Sequence, residues 1–443
     1  MKMRQVYNIG KIVILLLLFP FIILACKEKE NDKVIENDER KVEDIVEQED
    51  EVQDIEEQLD LEKIYVYDNE LDTEDVASVQ DIPIDTNGDL YALRKPAKKE
   101  ASYTIDSTAN KKSNFTGRCI NISIVGMDAR IGTTSKHADA NHVLSIYPET
   151  GEIVVTSIPR DTYCDLGYED STGLNKLTIC RSNKGRRRYL QEAARIARVN
   201  KIDYYVEFGF SQAMGIIEFL GYKNPTNTLQ VLRTRKGFGD DYQRCYNQGQ
   251  FIRQAMLSHF NKFTGTLGRI AIRAALLLVE TNLTYDVVTN IVDQLEAANF
   301  PKSSECVTVK VRPVLGIQYK QYNFSDEENI GSLIGQIENF NNRRYKNKVD
   351  NPQPKVNVEK RLLGVIEQAV KDSAKHPEQV ISRMQNYFNQ RAWYQVKDKG
   401  MRTKIRDEFG TLLYNAYMKK NKINEANNVK DVIDSDKALF DSK

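Results

Sequence analysis

"EIVVTSIPRDTY", Glu152 to Tyr163, decides how this chain is read. Its first half is rich in β-branched residues and predicts a strand. Pro159 has no backbone N–H to offer a ladder, so the strand must end there in a turn. That turn delivers Arg160 and Asp161 side by side. Either the two pair with each other at the rim of a sheet, or Arg160 is aimed at an anion and Asp161 holds it in place.

Moving outward, four further segments have strand character: "CINISIV" from Cys119, "VLSIY" from Val143, "IDYYVEF" from Ile202 and "CVTVKVRP" from Cys306. "YPETGE" marks a hairpin turn between the second strand and "EIVVTSI". Helical patterns run over Tyr189 to Val199, Ser211 to Leu220, Arg244 to Phe263, Leu267 to Val279 and Thr284 to Ala298. This mixture predicts the α/β class: one three-layer α/β/α domain with a mixed central sheet over residues 118–345. Pro352 and Pro354 then mark a linker, 346–357. Beyond it the pattern is helical only, with apolar stripes at Leu362, Ile366, Ala369 and Val370 and at Leu412, Leu413, Ala416 and Tyr417. Residues 358–443 are therefore expected to form a smaller all-helical C-terminal module, with a protein partner as its candidate ligand.

The N-terminal end reads as an address. Lys2, Arg4 and Lys11 precede the apolar stretch Ile12 to Ala25, which is too short to span a bilayer and suits a signal-peptide core, 1–25. "ILAC" resembles the lipobox of bacterial lipoproteins, which implies cleavage before Cys26, its lipidation and a membrane anchor. Residues 27–60 hold sixteen acidic and five basic side chains and no aromatic ring. Such a segment buries too little apolar surface to offset chain entropy, so 26–60 is expected to be a disordered acidic tether. Residues 61–117 read as linker with one candidate strand, Ile64 to Tyr67. The chain's formal charge of zero thus conceals a net of +8 over residues 61–443, which suits an anionic ligand. The five cysteines after Cys26 show no CxxC spacing, which argues against zinc. Cys164 and Cys180 flank a loop and are the candidates for a disulfide.

Three blocks line up around the opening motif. "VGMDAR" places Asp128 and Arg130 just after a strand, and "KHADANHVLSIYP" places Asp139 just before one. "LRTRKGFGDDYQRCYNQGQFI" brings Arg233, Arg235, Asp241, Arg244 and Gln248 close together, with Arg244 and Gln248 on one helical face. Singly, each has an ordinary explanation: a turn-closing aspartate, a surface ion pair, a first-turn acid.

Taken in this order, "VGMDAR", "SIPRDTY", "IDYYV" and "LRTRK…DDYQR…Q" resemble the LytR-CpsA-Psr family of cell-wall polymer transferases, over about residues 118–345. The resemblance implies an extracytoplasmic enzyme that moves a glycopolymer from a polyprenyl-pyrophosphate carrier to peptidoglycan or another envelope acceptor, with Mg2+. It also implies roles. Asp128 and Asp139 would hold the metal; Arg130, Arg160, Arg233, Arg235 and Arg244 would clamp the pyrophosphate; Gln248 would donate an amide hydrogen bond. Arginine suits this work because its planar fork meets phosphate oxygens in pairs. Asp161 would orient Arg160, and the two are the expected catalytic pair with Arg130 and Arg244. Apolar helices at 213–221 and 272–279 either line a slot for the lipid or are ordinary core.

Two positions depart from the family pattern: His137 and Asn247 stand where arginines are usual. The pocket then has fewer permanent charges, which leaves activity open. The basic run "RSNKGRRR", Arg181 to Arg188, is either compensation that meets lipid phosphates or a solvated loop. A polyprenyl-pyrophosphate pyrophosphatase, and a non-catalytic anchored protein that binds carrier lipid or peptidoglycan, are the alternatives to the transferase. No nucleic acid is expected as a partner.

Overall fold

The computed structural model describes residues 101–106, 115, 117–129, 131–133, 137–235, 240–345 and 357–441. The expected signal peptide, Cys26, the acidic tether, the strand at 64–67, Arg130 and nearly all of the 346–357 linker lie outside these residues.

In chain order the strands are β1 (Tyr103–Asp106), β2 (Ile120–Asp128), β3 (His137–Tyr147), β4 (Glu152–Ile158), β5 (Tyr204–Phe208), β6 (Glu280–Thr281), β7 (Val307–Val311) and β8 (Tyr319–Tyr322). The helices are α1 (Leu177–Asn183), α2 (Gly185–Ala197), α3 (Phe210–Leu220), α4 (Pro225–Arg233), α5 (Asp241–His259), α6 (Gly265–Leu278), α7 (Tyr285–Ala297) and α8 (Glu327–Tyr345). Four more follow: α9 (Val358–Asp372), α10 (Pro377–Asn389), α11 (Lys399–Lys419) and α12 (Ile423–Phe440).

The central sheet has the order β6-β5-β2-β3-β4-β7. β2, β3 and β4 form an antiparallel meander, while β5 and β7 add in parallel on either side, so the sheet is mixed. Period-2 alternation sends successive residues to opposite faces. Ile120, Ile122, Leu144, Ile146, Ile153 and Val155 pack with Tyr246 of α5 and with α7. Val125, Val143 and Ile158 pack on the other face against Leu177, Tyr189 and Ala193 of α1 and α2. Helix, sheet and helix therefore form the three layers expected.

β3 begins at His137 rather than Val143, and β2 extends to Asp128, opposite His137. Polar residues are not an obstacle here, because they ride the end of a ladder whose middle is apolar. The sequence pattern missed α1, α4, α8 and the short strands. β1 lies inside the segment read as linker, where Tyr103 pairs with Tyr322 of β8.

The helices after 357 do not stand apart from this body. Their buried side chains, among them Leu362, Met384, Trp393 and Phe409, join one apolar cluster with Met214 and Ile217 of α3, Ala274 and Leu278 of α6 and Leu333 of α8. Gly215 shows how close the contact is: a Cβ there would lie 2.8 Å from the Tyr394 ring. The apolar helices considered for a lipid slot are thus core that the C-terminal helices cover. No described helix is long and apolar enough to cross a membrane.

Candidate functional site

The charged residues singled out in the sequence meet where β2, β3 and β4 end. Asp139 is in β3, and the turn after β4 carries Arg160 across to it, so that Arg160 Nη1 donates to Asp139 Oδ1. From the other side α5 contributes Arg244, whose Nη1 lies 3.9 Å from Asp139 Oδ2 and whose Nη2 lies 2.6 Å from Asp241 Oδ1. Arg235 Nε is 3.5 Å from the same Asp241 oxygen. Arg233 closes α4, with its guanidinium 4.8 Å over the Phe210 ring, and its charge reaches Asp139.

Local sequence explains this convergence. Asn224 caps α4 by accepting from Asn227 N, with Pro225 in its first turn. Asp240 caps α5 by accepting from Gln243 N at 2.9 Å. The start of α5 therefore delivers Asp241 and Arg244 to the site, along with the positive end of a nineteen-residue helix.

The electrostatics are those of a cluster in which arginines outnumber carboxylates. Burial opposes ionisation of Asp139, but Arg160, Arg244 and Arg233 outweigh it and hold the carboxyl below its ordinary value. Burial likewise opposes the charge on Arg160, and Asp139 more than restores it. Asp241 goes the other way: burial raises its carboxyl, and Asp161 and Asp139 add to the rise while Arg244 and Arg160 oppose it. Arg160 Nε, Arg235 Nε and Nη2, and Arg244 Nε are all buried and find no hydrogen-bond partner among the described residues. Neither oxygen of Asp241 receives an aligned hydrogen bond either, despite its nearness to Arg244. Buried unpaired guanidinium donors are costly, so several at one point need an explanation outside the described residues.

Other expected residues sit differently. Asp161 is half exposed, 4.0 Å from Arg160 Nε and 3.5 Å from Lys176 Nζ, so Asp139 rather than Asp161 orients Arg160. Gln248 donates its amide to Leu232 O at 2.9 Å and so braces the end of α4 that carries Arg233. Asn247 is fully buried and accepts from Gln243 at 2.8 Å. Asp128 and His137 face each other across the β2–β3 ladder. The run 181–188 lies on α1 and α2 rather than in a loop. Arg181 and Arg186 both reach Glu207, at 2.9 Å each, and Arg188 pairs with Glu192. Cys164 and Cys180 are buried neighbours in one cluster, each a free thiol.

Sequence reasoning missed His142. It sits below α5 with Nδ1 2.9 Å from Ser157 Oγ, and burial lowers its pKa to about 4, helped by the Arg244 charge against a hydrogen bond with Gln248. Its only signal was a histidine just before the apolar run that starts at Val143, which favours no single reading.

Magnesium takes one or two carboxylates together with phosphate oxygens and water. Asp128, at the end of β2, and Asp139, near the start of the adjoining β3 and beside Arg160 and Arg244, fit that donor chemistry. Among the described residues no group of three or more histidine, cysteine or acidic side chains is placed to hold a metal.

Fold and site together define an α/β/α domain with a buried arginine–carboxylate cluster built to receive an anion. Residues 89–221, under a third of the chain, match the LytR_cpsA_psr family model, so that stretch is similar to the LytR-CpsA-Psr family. No curated protein matches the chain. Among solved structures, Bacillus subtilis TagV is 18% identical, covering 51% of this chain and 98% of its own, with a TM-score of 0.36. Bacillus subtilis TagT is 15% identical, covering 54% and 98%, with a TM-score of 0.31. The Listeria innocua protein Lin1025 is 15% identical, covering 52% and 100%, with a TM-score of 0.32. At these scores the assignment rests on the family match and on the chain's own topology.

Proposed function

We propose that this protein transfers a glycopolymer from a polyprenyl-pyrophosphate carrier to a cell-envelope acceptor such as peptidoglycan, and that Mg2+ assists it. The observation that carries the reading is the set of buried, unpaired donors on Arg160, Arg235 and Arg244 around Asp139 and Asp241. A pyrophosphate brings several anionic oxygens into a small volume, and those donors match it in charge and number.

In this reading an acceptor hydroxyl attacks the phosphorus that bears the glycan. A P–O bond to the acceptor forms, the bond to the bridging pyrophosphate oxygen breaks, and polyprenyl phosphate leaves with that electron pair while the hydroxyl proton is released. Arg160, Arg235 and Arg244 stabilise charge growing on the leaving phosphate. Arg233 adds long-range positive charge, and Asp139 fixes Arg160. Asp128 and Asp139 would hold the metal, which neutralises phosphate charge when bound. Lipidation at Cys26 would keep the domain at the membrane where such carriers reside.

The deciding experiment mixes the full chain with a polyprenyl-pyrophosphate-linked glycan and peptidoglycan, with and without Mg2+. Glycan attached to peptidoglycan, reduced about 100-fold or more in Arg244→Ala, is the expected result. Released glycan phosphate with no adduct would instead identify a pyrophosphatase, and no turnover with intact binding would identify a carrier-binding protein.

A further inference from the structure

The loop that leaves β2 after Asp128 is gripped by the C-terminal helices. Gly132 N donates to Gln390 Oε1 at 2.7 Å, and Gln390 Nε2 donates to Thr133 O at 2.7 Å, so one side chain satisfies two successive backbone groups. Tyr387 closes on the same point: with Gly132 at φ +78°, a Cβ there would lie 2.4 Å from Tyr387 Cζ. Ile131 packs into the apolar cluster shared with those helices.

The gripping segment is itself anchored. Arg391 Nη2 donates to Leu277 O at 2.7 Å, and Gln212 Nε2 donates to Leu278 O and Asn389 O at 2.7 and 3.3 Å. Residues 389–391 are thereby tied to α3 and α6, and Gln390 reaches the loop from a fixed base. In sequence, Ile131 to Thr133 lie between Asp128, which ends β2, and His137 and Asp139, which open β3.

We propose that Gln390 and Tyr387 are positioning residues for the anion site, by which the C-terminal helices hold Ile131 to Thr133, the residues that follow the strand end at Asp128. The proposal rests on the functional reading above for what the site binds. Losing a two-point side-chain contact frees the loop while leaving both hydrophobic layers intact, so the effect falls on site geometry and local opening rather than on global stability.

The test uses the full chain and farnesyl pyrophosphate as probe. Wild type, Gln390→Ala, Gln390→Glu and Arg160→Ala are compared by calorimetric binding, thermal melting and amide exchange resolved at Gly132. Gln390→Ala is expected to speed exchange at Gly132 and to weaken binding, each about tenfold, the scale of one or two hydrogen bonds, at an unchanged melting temperature. Gln390→Glu, which keeps an acceptor for Gly132 N but loses the donor to Thr133 O, should recover part of both. Unaltered Gly132 exchange in Gln390→Ala overturns the clamp. Faster exchange with unaltered affinity overturns its positioning role. A wild type that does not bind the probe refutes the functional reading, and the positioning role with it, whatever the exchange shows.

Discussion

Two groups of buried arginines in this protein differ in how fully they are paired. Arg181 and Arg186 converge on Glu207, a carboxylate nearly without exposure, through three hydrogen bonds of 2.9 to 3.0 Å and one of 3.2 Å. Arg181 and Arg186 hold the Glu207 carboxyl below its ordinary value even though burial pushes it up. Arg160, Arg235 and Arg244 are no less embedded, yet each keeps at least one buried donor unpaired. Neutralised within the protein, the first group fastens α1 and α2 to β5. The second keeps donors free that, on the proposed function, an anion would take up. Net charge and burial are alike in kind in the two places; the unpaired donors are what separate a fastening from a binding site.

Removing the hub of the paired group should give the largest effect. Glu207→Ala leaves Arg181 without its carboxylate and Arg186 with only the exposed Glu280, and breaking a buried pair in this way costs about 3–5 kcal/mol. Urea unfolding should show the loss, and the fraction that remains folded should still bind pyrophosphate. A mild effect on stability would mean the two groups are not different in kind.

His142, beneath the unpaired group, gives the next largest. Its folded pKa of about 4 lies below the ordinary histidine value, so as pH falls the unfolded chain takes up the proton first. Stability should therefore be full above about pH 7 and decline down to about pH 4, by about 3 kcal/mol in all. Melting curves of wild type and His142→Gln across this range check it; the variant should lose less on acidification.

The exposed pair at the rim should matter least. Asp161 and Lys176 are both well exposed, so Asp161→Ala should change stability by less than about 1 kcal/mol. Its effect on pyrophosphate affinity should also be far smaller than that of Arg235→Ala. Equal losses in the two variants would restore Asp161 to the role first expected of it.

These contrasts also mark what the sequence made legible. β4 and its turn were readable because Pro159 gives an unambiguous stop after a β-branched run. The layers were readable because strands and helices alternate with their own periods. Asp139, Arg160 and Arg244 could be grouped by motif. Their partners could not: Arg160 has an aspartate next to it in sequence and another twenty-one residues away, and only the β3–β4 register shows that the distant one, Asp139, grips it. The basic run 181–188 misled for the same reason, since Glu207 lies on a strand that reaches it only through the fold. The C-terminal helices were visible as helices, but their apolar stripes named no partner, and the cluster they share with α3 and α6 became evident only in three dimensions.

The central claim, that the unpaired arginines await a pyrophosphate, is tested most directly by titrating a polyprenyl pyrophosphate into wild type and Arg160→Ala while following the melting temperature of each. The account predicts binding weaker by on the order of 2–4 kcal/mol in the variant, roughly 30- to 1000-fold, with a fold that melts within a few degrees of wild type and only partial recovery in Arg160→Lys. Unchanged affinity in an Arg160→Ala protein that melts far lower would contradict it, and would make Arg160 and Asp139 a fastening like the one at Glu207.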